Sequence, residues 1–540
     1  MPRAFPLASS ANQSHITAVR RWCERRGTAS VSFGPPMAAR LDDLRIALAE
    51  ISDLGRARAL LAWDERTKMP PAGAEARAEQ LATLARIRHQ RLVSDELGRL
   101  LDQAAAETNR LPYESQEASL VRVARREWEK ARRVPAELRA EITRASSLAE
   151  HAWREAKQRS DFAPFLPLLA RNVELKLRYA GCFEGFDDFE HIYDPLLDDF
   201  EPGMSTAEVA ALLAELRDGI RPLAAELADG SEAVDDSCLR GRFPLDAQAR
   251  LAREVVAELP LAHDAWRLDP TVHPFATAIA PSDIRITTRF DESYIGAALW
   301  AVIHEAGHGL YENGIAPELR RSPLARPVSL GFHESQSRMW ENWVGRGRPF
   351  VEWLHPRLCR IFPDQFGVVD PETLYRAANK VQASLIRMEA DQVTYNLHIV
   401  MRFELELELF EGGLKLADLP EAWNARTAEY LRIEVPDDAR GVLQDVHWAA
   451  GSFGYFPTYS LGNLIAAQIW DAAAEALQDL DAQIQGGELA PLRDWLRERL
   501  YRHGAKFTPK EMIERLVGGP IDVRPYLRQL RERAAEIYGI

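Results

Sequence analysis

From Leu41 to the C-terminus, apolar residues recur every three or four positions among Ala, Leu, Glu and Arg. These are strong helix formers at the helical period, so the pattern predicts a mainly α protein. Clusters bearing proline and glycine punctuate it at MPPAG (69–73), Phe162 to Pro167, DDFEPG (198–203) and ELADGSEAVDD (226–236), and these mark connections between helices. One segment breaks the rhythm. HPFATAIAPSDIRITTRF, from His273 to Phe290, places β-branched and aromatic residues on both sides of a Pro-Ser-Asp turn, which predicts a small hairpin or short sheet. Directly after it, DESYIGAALWAVIHEAGHGLYENG (Asp291 to Gly314) opens with a capping acid, carries apolar residues at helical spacing and stops at a glycine. It is expected to be one helix, and SLGFHESQSRMWENWVG (Ser329 to Gly345) a second. No repeat is visible and no internal boundary is strong, so 37–540 is expected to be a single helical domain. Residues 1–36 are rich in Arg, Ser and Pro with Glu24 as their only acid, and they lack the apolar stretch of a secretory signal. They are expected to be a disordered or mis-assigned extension, with Met37 as an alternative start.

A chain of 540 residues with 46% apolar content can bury a large core without disulfide support. The four cysteines, Cys23, Cys182, Cys238 and Cys359, show no CxxC spacing, which suits neither a disulfide framework nor a thiolate metal site. A reducing, cytoplasmic setting is expected. No apolar run approaches the length of a membrane span, and a net charge of −14 argues against nucleic acid or an anionic membrane as partner.

The chemistry is concentrated in the helix predicted after the β segment. His304 and His308 stand four residues apart, about one turn, so two imidazoles on one face can converge on a single metal ion. Glu305 sits beside the first of them, where a carboxylate suits a general base acting on a water acidified by the metal. A catalytic zinc takes three protein ligands and keeps one position open. The extended motif with a third His would need it at position 314, which is Gly314, so that arrangement is excluded. A downstream carboxylate is needed, and Glu334, 26 residues after His308, is the candidate. Glu312 lies roughly 80° around the helix and two turns from His304, which disfavours it. Glu341, two turns beyond Glu334, is expected at the solvated surface.

Several further signatures appear in order: HPF (His273 to Phe275), DIRIT (Asp283 to Thr287), HEAGH (His304 to His308), HESQ (His333 to Gln336), IRMEAD (Ile386 to Asp391) and GVLQDVHW (Gly441 to Trp448). With LLAWDERTKMPPAGAEARAEQLATL near the start, the chain resembles the carboxypeptidase Taq family of metallocarboxypeptidases from about Leu41 to its end. The resemblance implies a gluzincin-type helical fold with a long deep groove, and zinc held by two His and one Glu, which supports Glu334. It also implies a homodimer that removes single residues from free C-termini of peptides, with broad tolerance except around proline. The nearest alternative is a helical zinc oligopeptidase that cuts internally or releases dipeptides. Cobalt or manganese would also suit such a donor set.

A carboxypeptidase needs a cation for the terminal carboxylate, and the planar fork of Arg fits it. Arg387 and Arg285 are the candidates. Arg387 is read as part of a helical stretch with Asp391 one turn on, where an ordinary surface ion pair is the plain alternative. Arg285 alternates with Ile284 and Ile286 along a strand that is also expected to pair with substrate backbone. His447, Tyr455 and Tyr459 fall in the glycine-broken aromatic segment HWAAGSFGYFPTYSLGN, which suits a groove wall; His447 and Tyr455 are candidates for assisting the oxyanion and Tyr459 for binding substrate. His273 is a candidate for shaping the cleft. Asp283 and Asp391 are candidates for orienting the ligand histidines through their second N–H.

Overall fold

The computed structural model describes residues 37–186, 189–228, 230 and 233–540, with only the backbone described for 37–40. The segment 1–36, expected to be an extension, lies outside the described residues. Helix is the dominant state at 67%, and the strands form one small sheet, so the mainly α expectation holds. Local rules account for individual helices. Asp95–Thr108 begins behind Ser94, whose side chain accepts from the Leu97 N–H, and buries Leu97, Leu101, Ala104 and Thr108 along one stripe. Thr206–Ala228 buries Val209, Leu213, Leu216, Ile220, Leu223 and Leu227 at alternating spacings of four and three. MPPAG separates the long helix Met37–Thr67 from Ala74–Leu92, as its composition requires.

The buried apolar residues fall into two clusters. The larger runs from Val134 to Ile537 and contains the helix that carries HEAGH. The smaller joins Leu44, Leu48, Leu97, Leu101 and Leu120 of the N-terminal helices to Ile315, Ala316, Leu319 and Leu324, which directly follow that helix.

The sheet has the order β1-β3-β2, with β1 Trp266–Pro270, β2 Ala276–Ala280 and β3 Asp283–Thr288. The expected hairpin is β2 and β3, antiparallel across Pro281 and Ser282; β1 adds a parallel strand that the sequence pattern did not announce. Ile284 and Ile286 face the HEAGH helix. A Cβ added at Gly309 would lie 2.8 Å from Ile284 Cγ2, which shows how closely β3 and that helix approach. Both edges of β3 are paired, so the expectation that this strand binds substrate backbone along its edge is corrected.

The HEAGH helix spans Gly296–Gly314, starting five residues later than expected. Asp291 does not cap it. Its carboxylate instead accepts from the backbone and hydroxyl of Ser293, while Glu292 and Ser293 present their carbonyls to the Phe243 and Gly241 N–H groups. This pairing holds residues 291–294 out of the helix. The second expected helix is α-helical from Leu330 to Arg338 and then widens into a π-helical stretch, Met339–Gly345.

Candidate metal centre

Two crossing helices build the centre. Gly307, between the two histidines, lets them meet: a Cβ there would stand 2.7 Å from the Gln336 carbonyl oxygen and 2.8 Å from the Ser337 Cα. The Leu330–Arg338 helix thereby brings Glu334 against the HEAGH face. The Glu334 Oε2 lies 3.7 Å from His304 Nε2 and 3.4 Å from His308 Nε2, and one ligand atom from each of the three residues falls within 4.8 Å of the others.

The remaining atoms of these side chains are already occupied, and this decides what the gap between them can hold. His304 Nδ1 pairs with Glu341 Oε2 at 2.9 Å, and His308 Nδ1 with the His333 carbonyl at 3.1 Å. Each ring therefore donates from Nδ1 and turns its Nε2 lone pair inward. Glu334 Oε1 accepts from Arg338 Nε at 2.7 Å, while Oε2 accepts from the Ser337 hydroxyl at 3.1 Å and turns its other lone pair to the imidazoles. Three lone-pair donors converge on one point, and a cation of borderline softness is the natural occupant of two nitrogens and one oxygen. The residues fit a zinc ion.

Glu305 is buried, and burial pushes its carboxyl above the ordinary carboxylate range against the pull of His304 and His308. Glu334 is held well below that range despite burial, by the charge of Arg338 and by the two histidines. Glu341 was expected at the surface; this is corrected. Its side chain is 12% exposed, and although burial works against ionisation, the His304 hydrogen bond and the charges of Arg346 and Arg338 bring its carboxyl down to about 2.

The aromatic segment lies close by. A Cβ at Gly462 would meet Glu334 Cγ at 2.8 Å, so the helix Pro457–Ala476 presses on the Glu334 side chain, with Tyr459 in its first turn and Tyr455 just before it. The Tyr455 and Tyr459 rings are 5.3 Å apart, His447 lies 5.3 Å from Tyr455, and the Tyr459 hydroxyl is 3.4 Å from His447 Nε2. Burial, aided by the Glu334 charge, pushes the Tyr455 hydroxyl up to about 12. Burial, together with the Arg387 and Arg402 charges, brings the His447 ring down to about 4 against the pull of Asp445, so it is neutral near neutral pH.

Arg387 joins this group. It lies in a 3₁₀ turn, Arg387–Glu389, which corrects the expected helical stretch, and its partner is Asp445 (2.9 Å) rather than Asp391, so the alternative of a surface pair with Asp391 does not hold. Its Nη1 also donates to the Tyr395 hydroxyl at 3.1 Å, and its Cζ stands 5.0 Å from the Tyr459 ring centre. Asp445 is shared with the fully buried Arg402, at 2.7 Å, while burial and the two arginines hold His398 well below the ordinary histidine range.

Arg285, His273, Asp283 and Asp391 are not brought to the metal group. Arg285 is on the face of β3 opposite Ile284 and Ile286, forked onto Asp283 at 2.5 and 2.9 Å and lying over the Trp63 ring of the Met37–Thr67 helix. His273 is exposed in the β1–β2 connection. Asp391 accepts from the Val393 and Thr394 N–H groups, which turns the chain toward the helix Tyr395–Phe410. Glu341 and the His333 carbonyl take the orienting role expected of the two aspartates.

Residues 43–534 match the family described as Carboxypeptidase Taq (M32) metallopeptidase. The chain belongs to this family. The M32 chain is 43% identical to thermostable carboxypeptidase 1 of Thermus thermophilus over 497 residues, covering 91% of this chain and 97% of that one. It is 37% identical to carboxypeptidase 1 of Bacillus subtilis, with the same coverage. Its fold superimposes on the M32 carboxypeptidase of Deinococcus radiodurans with a TM-score of 0.89 at 39% identity, over 93% of this chain and all of that one. It is a metallocarboxypeptidase, a peptide hydrolase that requires a metal ion. No helix among its described residues is long and apolar enough to cross a membrane.

Proposed function

We propose that this M32 carboxypeptidase uses zinc, held by His304, His308 and Glu334, to release single amino acids from free peptide C-termini, with broad tolerance except around proline. The observation that carries the reading is the convergence of three lone-pair donors whose other polar atoms are already engaged. When bound, zinc supplies Lewis acidity that acidifies water and polarises the scissile carbonyl. Glu305 takes the proton of the attacking water and returns it to the leaving amine. Tyr455 and neutral His447 supply hydrogen-bond donors to the developing oxyanion, the tyrosine remaining protonated because its hydroxyl titrates at about 12.

Arg387 anchors the terminal carboxylate. Two buried arginines share Asp445 while the nearby histidines are held neutral, so the cluster carries one uncompensated positive charge. Buried charge demands a partner, and an incoming carboxylate supplies it. Arg285 has its partner in Asp283 and is the weaker candidate. Tyr459, beside Arg387, lines the same subsite. A cytoplasmic homodimer completes the reading: the described cysteines are free, which suits a reducing compartment, and size-exclusion chromatography with light scattering tests the dimer.

Release of the terminal residue from an N-blocked dipeptide tests the mechanism. Chelation and Glu305→Gln are both expected to abolish it, with zinc restoring only the chelated wild type. Amidation of the substrate's C-terminus is expected to remove most activity; equal turnover of amidated peptides would identify an oligopeptidase instead.

A further inference from the structure

The segment from Tyr193 to Gly203 touches both halves of the proposed site. The nine-residue helix Leu330–Arg338 carries Glu334, and its first N–H groups need acceptors from outside the helix. Leu330 donates to the Phe200 carbonyl at 3.0 Å, Gly331 to the Glu201 carboxylate, and Phe332 to Ser329 Oγ at 3.1 Å. Two of these three anchors come from residues about 130 positions upstream. Glu201 is 1% exposed and has no ion-pair partner among the described residues, so burial pushes its carboxyl up to about 8 and the Ser329 hydroxyl and the Gly331 N–H are the groups it hydrogen-bonds.

The approach is close. A Cβ at position 331 would stand 2.8 Å from a Glu201 oxygen. On the same segment the Phe200 ring packs edge-on against Tyr455 at 5.1 Å, and Gly454 fits against the backbone of Leu196 and Leu197, where a Cβ would clash at 2.5 Å. Gly462 presses on Glu334 and on the Gly331 carbonyl, leaving that helix little room to absorb a slip at its start.

We propose that Glu201 is a positioning residue for the metal centre, anchoring the start of the Glu334 helix so that Glu334 Oε2 meets His304 and His308, while Phe200 ties the same segment to Tyr455. This rests on the metal reading above, and the test separates the two. Zinc affinity is measured on the full-length protein by competition with a chromogenic chelator, for wild type, Glu334→Ala, Glu201→Ala and Glu201→Gln. Glu334→Ala is expected to lose most affinity, and if it does not, the ligand assignment fails rather than the role of Glu201. Glu201→Ala is expected to weaken zinc binding about tenfold or more, as loss of a ligand's supporting contacts does. Glu201→Gln still offers an oxygen to the Gly331 N–H and is expected to recover most of that loss. A folded Glu201→Ala with wild-type zinc affinity and kcat/KM overturns the proposal. Should that variant not fold, Glu201→Asp keeps the carboxyl but is one methylene shorter; wild-type affinity there overturns it equally.

Discussion

Glu341 fixes the tautomer of His304, since an acceptor at Nδ1 forces the lone pair onto Nε2, where it faces His308 and Glu334. Arg338 and Arg346 keep it charged. Glu341→Ala is therefore expected to weaken zinc binding by about 10- to 100-fold, read by chelator competition; unchanged affinity would remove it from the centre. A signal for this role was present in the sequence: seven residues is about two turns, which returns Glu341 to the face of Glu334. It was outweighed by the general rule that acids on a helix are solvated. Arg387 shows the opposite case, since the sequence indicated the residue but not its setting. Its true partner, Asp445, lies 58 positions away, beyond the reach of periodicity. Replacing Arg387 with Met is expected to cost about 1.5–3 kcal/mol of substrate interaction, on the order of tenfold to a hundredfold in kcat/KM and mostly in KM. The same variant should no longer distinguish free from amidated C-termini. A KM that does not move would return the choice to Arg285.

The crossing of the HEAGH helix over the Glu334 helix depends on Gly307, because its missing side chain lets backbone meet backbone at Gln336 and Ser337. Gly307→Ala would normally favour a helix. Here the added methyl meets main-chain atoms that cannot rotate away, so overpacking of about 1–3 kcal/mol is expected instead, together with weaker zinc binding as the two ligand sets separate. Urea denaturation of the apoprotein reads the first effect and metal competition the second; a more stable Gly307→Ala protein would show that the helices can part freely. Which elements were legible follows from where their hydrogen bonds go. The β2–β3 hairpin and the two metal-site helices are local structures with local signals. β1 pairs with β3 in parallel, an arrangement set by tertiary contact, and the π-helical stretch Met339–Gly345 has no periodic signature distinct from an α-helix.

The family's chemistry sits inside a protein whose interior holds many ionisable groups, and their balance sets how the whole molecule responds to pH. Glu406 is fully buried and accepts from the Tyr193 hydroxyl, Trp448 Nε1 at 2.7 Å and the Gly454 N–H at 2.9 Å. Burial nevertheless outweighs these donors and raises its carboxyl to about 7. A carboxyl whose folded value lies above its unfolded one binds its proton more tightly when folded. Its contribution to stability is thus fully present below the unfolded value of about 4.5 and is lost as pH rises through about 7. Glu406→Gln removes this titration and places an amide N–H against donors, so the variant is destabilised by an amount that does not itself vary with pH. The gap in Tm between wild type and Glu406→Gln is therefore expected to be largest near the unfolded carboxyl value of about 4.5, to narrow as pH rises towards about 7 and to level off above it. Following Tm across that window by calorimetry on both proteins reads the gap directly, and a constant difference would mean that Glu406 keeps its charge throughout and that its three donors, rather than its burial, decide its state.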